Sequence, residues 1–213
     1  MNANPLPLAV HRALRPEERD RLRAHLAGQL ALAVAKGRWR ARRDAVFGLV
    51  LLEVGLRVSE ACALHRADFR VEGGERRLVV RKGKGGKRRE VRLPESLRVV
   101  LRAYLDATPG EPEAPAFPGT MQGEAMCRVT AWRRWKKTLA ALGLDAHGRG
   151  CHAARHGLGL ALYKNTSDLR LVAAQLGHTD LRSTLVYTAP LPEDIDAALD
   201  AVNQPLAAAG GRR

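Results

Sequence analysis

Residues 69–93 read FRVEGGERRLVVRKGKGGKRREVRL, and their texture decides the fold class. Short runs of Val, Leu and Arg over 69–71, 76–81 and 88–93 are separated by Gly73-Gly74 and by the glycine-rich 83–86. Arg89, Val91 and Leu93 alternate with Arg88, Glu90 and Arg92, the period of two that a strand with one buried face requires. A small antiparallel sheet of two or three strands with a basic, glycine-rich turn is expected here. The segment is also the most basic in the chain: nine Lys or Arg lie between Arg76 and Arg92, opposed only by Glu90.

On either side of this break the period is helical, so the fold class is mainly α with a small antiparallel β-sheet (α+β). Residues 1–15 form an irregular lead in which Pro5 and Pro7 oppose helix. Pro16 then opens a helix over 16–36, since proline suits a first turn. Leu22, Leu26, Leu30 and Val34 are expected on its buried face. Further helices are expected over 39–54, stopped by Gly55, then over 58–64 and 94–105. After a loop holding Pro109, Pro112, Pro115 and Pro118, the next helix covers 124–142. Its stripe of Trp132, Trp135, Leu139 and Leu142 has core spacing. Helices over 151–164, 168–176, 180–187 and 192–203 complete the chain, and 205–213 reads as a disordered tail.

The bulk properties bound the function. A chain of 213 residues and 23.3 kDa is one large domain, or one domain with short extensions. A net charge of +14 and a pI near 10.8 point to a polyanion, nucleic acid before anionic membrane. The charge is uneven: residues 189–211 carry Glu193, Asp194, Asp196 and Asp200 and no Lys or Arg. Three cysteines, Cys62, Cys127 and Cys151, without a CxxC pair suit a reducing, cytoplasmic setting. No apolar run is long enough to span a bilayer.

Three stretches carry chemistry. In Gly55-Leu56-Arg57-Val58-Ser59-Glu60, a glycine ends one helix and Arg57 begins the next, where a guanidinium can meet a phosphate. Taken alone, the hexapeptide reads more readily as a surface Arg–Glu pair. Arg81-Lys82-Gly83-Lys84-Gly85-Gly86-Lys87-Arg88 lacks the spacing of a Walker loop. It can be a solvated basic turn or a hairpin that enters a DNA groove. The third is Cys151-His152-Ala153-Ala154-Arg155-His156, followed by Leu176-Gly177-His178 and Val186-Tyr187-Thr188. His152 and Arg155 share a helix face, and two histidines, an arginine and a tyrosine can converge. A zinc site at Cys151, His152 and His156 lacks a fourth ligand. A Cys–His dyad would need separated partners. His178 alone could be an ordinary helix-terminal histidine.

Together these boxes resemble the tyrosine recombinases, also called the phage integrase family. Arg57 in GLRVSE, Lys84 in GKGGKRREVRL, the HAAR box of His152 and Arg155, LGH with His178, and VYT with Tyr187 match six family positions in family order. The likeness runs from about residue 12 to about 202 and places a catalytic domain over 16–190.

It implies transesterification at a DNA phosphodiester. Tyr187 would attack the phosphorus and form a 3′-phosphotyrosyl bond. Arg57 and Arg155 would clamp the non-bridging oxygens, with His178 as a further donor. Lys84 would protonate the departing 5′ oxygen, and His152 would assist proton transfer, as base toward the tyrosine. Arg81, Lys82, Lys87 and Arg88 would contact DNA. No metal or other cofactor is implied.

The resemblance also implies double-stranded DNA as partner and self-assembly on it as dimer or tetramer. A partner recombinase or accessory DNA-bending protein would supply grip that a chain without the family's N-terminal clamping domain lacks. The C-terminal helix over 191–204 would dock on a neighbouring protomer or on its own domain. Ala154 stands where the family usually has Leu, a packing change beside the site. A DNA-binding regulator with this fold and a type IB topoisomerase-like enzyme are the alternatives.

Overall fold

A computed structural model describes residues 12–81, 88–121, 123–145, 149–178 and 184–187, together with Asp196 and Leu199. The helices and strands follow in chain order. Helices α1 (Pro16–Ala35), α2 (Trp39–Val54) and α3 (Val58–Cys62) lead, and after a 3₁₀ turn at Arg66–Asp68 come strands β1 (Phe69–Arg70), β2 (Arg77–Val80) and β3 (Arg89–Arg92). Helices α4 (Glu95–Asp106), α5 (Arg128–Ala140), α6 (Cys151–Thr166) and α7 (Leu169–Leu176) follow, then a 3₁₀ turn at Leu185–Tyr187. The expected sheet is present, with antiparallel order β1-β2-β3.

Helix α2 is the axis of the fold. From Ala45 to Val54 it is buried on every side, as a helix apolar all round must be. It packs against α1, α4, α6 and α3. It stops where Gly55 takes a left-handed φ of 74°, a conformation that costs glycine little and a β-carbon much. A Cβ there would also lie 2.8 Å from both Leu158 and Leu176, so close packing excludes one independently.

On α1 the apolar stripe drifts. Leu22 and Leu26 are buried and Leu30 is half-buried, but Val34 is 52% exposed, and Ala33 takes the buried position. Repeated four-residue steps overshoot a 3.6-residue turn, so the stripe rotates away from the core within three steps. Helix α5 is shorter than expected. Residues 124–127 instead make an antiparallel bridge, Pro118 to Ala125, and Cys127 becomes the N-cap. Trp135 and Leu139 are buried, whereas Trp132 is 49% exposed and leaves the stripe. Helix α3 ends at Cys62, two residues early, because the chain turns into the His65–Pro115 bridge. The helices expected over 180–187 and 192–203 fall largely outside the described residues, and within them Leu185–Tyr187 is a 3₁₀ turn.

The sheet register matters for the site. Leu78 pairs with Val91 and Val80 with Arg89. The residues facing the core are therefore Leu78, Val80, Val91 and, at the end of the row, a guanidinium.

The lead is anchored at its end. Ala13 and Leu14 are buried, and the Leu14 N–H donates to the Ala153 carbonyl on α6 at 3.2 Å. Gly157, one turn along α6, permits this approach: a Cβ there would sit 2.5 Å from the Leu14 carbonyl oxygen. Gly157→Ala should normally stabilise a helix by about 1 kcal/mol, but a clash with backbone cannot relax by side-chain rotation. We expect the substitution to destabilise the fold by ~1–3 kcal/mol, read as a lower urea midpoint. A midpoint at or above wild type would mean that the 12–15 segment does not pack on α6.

Candidate active site

The site lies where the C-terminal ends of α2 and α7 meet the first turns of α6. Arg155 on α6 is 4% exposed. One of its terminal nitrogens donates to the Gly55 carbonyl and the other to the Leu176 carbonyl, each at 2.6 Å. Both carbonyls belong to helix C-termini, where unpaired C=O groups and the helix dipole favour a cation. Burial pushes the Arg155 pKa down to about 10, with the Arg57 charge adding to the effect, so Arg155 remains charged at neutral pH.

Arg57, the N-cap of α3, is held by Glu60. The Arg57 backbone N–H and one terminal guanidinium nitrogen both donate to the Glu60 carboxylate at 2.9 Å. Arg89 donates to the same carboxylate through two nitrogens, again at 2.9 Å. Burial alone would raise the Glu60 pKa, but the hydrogen bonds from Arg89 and Arg57 prevail and hold it below the ordinary range. The Arg57 side chain stays 28% exposed, so its cation faces outward from this buried pair.

His178 follows Gly177, whose left-handed φ of 67° ends α7. A Cβ on Gly177 would fall 2.1 Å from Arg89 Nε, so a side chain there would displace the Arg89 guanidinium in addition to straining the backbone. His178 Nδ1 lies 2.9 Å from the Thr184 hydroxyl. Burial and then the charges of Arg155 and Arg57 push the His178 pKa down to about 4. His152, one turn before Arg155 on α6, keeps a solvent-facing side. Packing about its ring, then Arg155 and Arg57, lower its pKa.

Tyr187 is 4% exposed and belongs to a small apolar cluster with Leu158, Val172 and Leu176. Burial raises its pKa to about 12. Its ring runs nearly parallel to that of His178, with centroids 6.3 Å apart. The imidazole on its hydroxyl is that of His156, whose Nδ1 lies 3.1 Å away, rather than that of His152.

Of the six expected catalytic positions, Arg57, His152, Arg155, His178 and Tyr187 are gathered into this region, and Lys84 lies outside the described residues. Among the expected DNA contacts, Lys82 and Lys87 also lie outside them. Arg88 is exposed at the root of β3, with its side chain 67% accessible. Arg81 is differently placed: its guanidinium is held by buried Asp68 at 2.5 Å and by Glu113 at 2.6 Å, which raises its pKa. Its charge is thus already compensated within the fold.

Sequence reasoning missed Glu60 as a hub, Arg89 as its partner and His156 as the neighbour of Tyr187. A usable signal existed for Arg89, a charged residue in phase with Val91 and Leu93. Cys151 is buried, and among the described residues no three His, Cys, Asp or Glu side chains are placed to hold a metal ion.

The depressed histidines make acid stability a test of this geometry. Their folded pKa values, about 4 for His156 and His178, lie below the ordinary 6.5. Below pH 6.5 the unfolded chain binds more protons than the folded one, so stability is lost as pH falls from 6.5 toward 4. The melting temperature should fall over that window, and His156→Asn should make the fall shallower. Identical slopes in the two proteins would show that His156 is not shielded as described.

Comparison with known proteins places the chain in a family. The sequence profile of the Phage integrase family matches residues 20–194. The chain is 36% identical over 169 residues to tyrosine recombinase XerC of Rhodospirillum centenum, covering 78% of this chain and 47% of that protein. It is 35% identical over 151 residues to tyrosine recombinase XerD of Proteus mirabilis, covering 68% and 47%. It spans about half the length of these relatives.

The pre-cleavage complex of the XerH site-specific recombinase with its difH substrate superposes with a TM-score of 0.70 at 25% identity, over 96% of this chain and 56% of that one. The XerA recombinase, at 20% identity and a TM-score of 0.72 over 97% and 67%, shares the fold. With the profile spanning most of its length and the arginines, histidines and tyrosine of the signature gathered at one place, the chain belongs to the phage integrase family, the tyrosine recombinases.

Proposed function

We propose that this chain cuts and rejoins DNA strands at specific sites by transesterification, with Tyr187 as the nucleophile. The observation that carries the reading is the convergence of Arg57, Arg155 and His178 beside a tyrosine, at a place where burial and then two guanidinium charges depress the histidines.

A phosphodiester repels nucleophiles because it is already anionic, and fixed donors that match its developing charge lower that barrier. Arg155 uses two nitrogens on backbone carbonyls, which locks the fork and leaves its other N–H groups to serve a non-bridging oxygen. Arg57 meets the same phosphate from α3, and His178 donates a third hydrogen bond.

In the reaction the Tyr187 oxygen bonds to phosphorus as the bond to the 5′ oxygen breaks. The phenolic proton passes to a base and a proton is delivered to the leaving oxygen. His152 serves the first transfer and Lys84 the second. The 3′-phosphotyrosyl bond conserves the energy of the bond it replaces, so a 5′ hydroxyl can reverse the step.

Double-stranded DNA is the substrate, and the excess of positive charge favours it. Arg88, Lys82 and Lys87 reach backbone phosphates, whereas Arg81 anchors the strand that leads to them. Assembly on DNA as a dimer or tetramer, with an accessory or partner protein adding grip, completes the proposal. The C-terminal segment over 191–204 is a candidate for exchange between protomers. Among the described residues no helix is long and apolar enough to cross a membrane, and we place the protein in the cytoplasm with the nucleoid.

The test is a nicked suicide substrate drawn from the native genomic neighbourhood. Wild type should form an SDS-resistant covalent adduct and Tyr187→Phe none. Arg57→Lys should slow adduct formation by ~10²–10³, because an ammonium cannot reproduce the bidentate fork. An adduct that survives Tyr187→Phe would overturn the assignment of the nucleophile.

A further inference from the structure

The hydroxyl of Tyr187 is the one polar atom of a side chain otherwise set in the apolar cluster of Leu158, Val172 and Leu176. It meets His156 Nδ1 at 3.1 Å. The seat is shaped for the ring: a Cβ on Gly159 would lie 2.5 Å from Tyr187 Cζ and under 3.0 Å from both Cε atoms. Glycine in a helix interior costs about 1 kcal/mol relative to alanine, and this site draws a reason for it from the ring it admits. His156 and Gly159 are three residues apart on α6 and so present one face. One supplies the hydrogen bond and the other the space.

We propose that His156 is a positioning residue that docks the Tyr187 hydroxyl in a buried seat on its own chain, closed by Gly159, and so limits how often the nucleophile is available. The inference rests on the reading of Tyr187 as the nucleophile.

The hydrogen bond joins two neutral groups, and its sense follows the imidazole tautomer. Burial raises the phenol to about 12 and, with the nearby His152 and Arg155 charges, lowers the imidazole to about 4. At neutral pH both groups are neutral and the proton stays on oxygen. The Tyr187 O–H donates to Nδ1 when the other ring nitrogen carries the imidazole proton. The same values argue against His156 as the base of the reaction: an imidazole of such low basicity is a poor acceptor for so weak an acid. Holding is the role the chemistry leaves it.

The role belongs to the resting state. The Tyr187 oxygen points to His156 inside an apolar cluster, while Arg57, part of the phosphate clamp, is 28% exposed at its side chain. A phosphate bound there would recruit Tyr187 only after the hydrogen bond to Nδ1 is given up. Removing that bond should therefore raise exposure of the phenol without touching the clamp.

The measurement is nitration of the tyrosines by tetranitromethane in the full chain without DNA, followed at each tyrosine by peptide mass spectrometry, with Tyr163 as internal reference. His156→Phe keeps the ring volume and removes the acceptor. It should raise the nitration rate of Tyr187 relative to Tyr163 by several-fold. His156→Asn, whose side-chain oxygen lies near the place of Nδ1, should restore protection. Gly159→Ala, acting on space rather than on the bond, should expose Tyr187 in the same way.

Tyr187 nitrated at the wild-type rate in both His156→Phe and Gly159→Ala, with unchanged circular dichroism, would overturn the proposal. So would equal exposure in the Phe and Asn variants, since the effect would then be one of packing alone. No DNA or turnover enters the assay. A failure of the recombinase reading would therefore appear in the adduct experiment and leave this result standing.

Discussion

The buried guanidinium of Arg155 is the interaction on which the rest of the site depends. Two helices end within reach of Arg155, α2 at Gly55 and α7 at Gly177, and each leaves carbonyls without intrahelical partners. Arg155 reaches both ends from a third helix. It joins the consecutive helices α6 and α7 to α2, 100 residues earlier, and sets one charge against the negative ends of two dipoles. A buried arginine is costly to desolvate and is retained where its donors are satisfied. Here the satisfaction comes from backbone, which cannot rotate away. The planar fork is therefore fixed in orientation by the fold itself.

That charge sets the protonation of its surroundings. The histidines of the site are held neutral by burial first and by Arg155 and Arg57 second. Neutral imidazoles among arginines leave the positive charge of this region on the guanidiniums alone. Tyr187 is shifted the other way, by burial, and Arg155 offsets only part of that. The resting site is thus strongly cationic at its clamp and fully protonated at its tyrosine.

Much of this was legible in the sequence because the boxes are local. GLRVSE carries a helix stop and the next N-cap together, HAAR places two groups on one helical face, and LGH reads as a glycine stop with a histidine after it. The sheet was legible from its period of two. Contacts that arise only when distant segments meet were not. Glu60 and Arg89 are 29 residues apart and join through the sheet register. His156 and Tyr187 are 31 residues apart and meet because a 3₁₀ turn returns to α6. Trp132 misled because its spacing from Trp135 suits a stripe, although the helix presents that edge to solvent. Arg81 was legible as a basic residue, but the acidic partners that compensate it come from the 3₁₀ turn before β1 and from the loop after α4.

Arg81 follows β2 and Arg89 opens β3, and each of these residues is tied to a carboxylate. The two ties are unequal. Glu113 has a side chain 67% exposed, and pairs of that kind contribute about 0–1 kcal/mol. Asp68 and Glu60 are buried, with side chains 3% and 4% accessible. Arg81 is itself 39% exposed, so solvent screens its tie to Asp68. Arg89 and Glu60 are 16% and 4% accessible, and removing one partner of a buried pair typically costs ~3–5 kcal/mol, because the other charge is stranded. The durable anchor is therefore Glu60 on the β3 side. Glu60 is also the residue that holds Arg57, so Arg89 at the start of β3 and Arg57 at the N-cap of α3 share one carboxylate. The two arginines meet on the same two oxygens, and a displacement of Glu60 would disturb both. Glu60 is in this way the joint between the sheet and the start of α3.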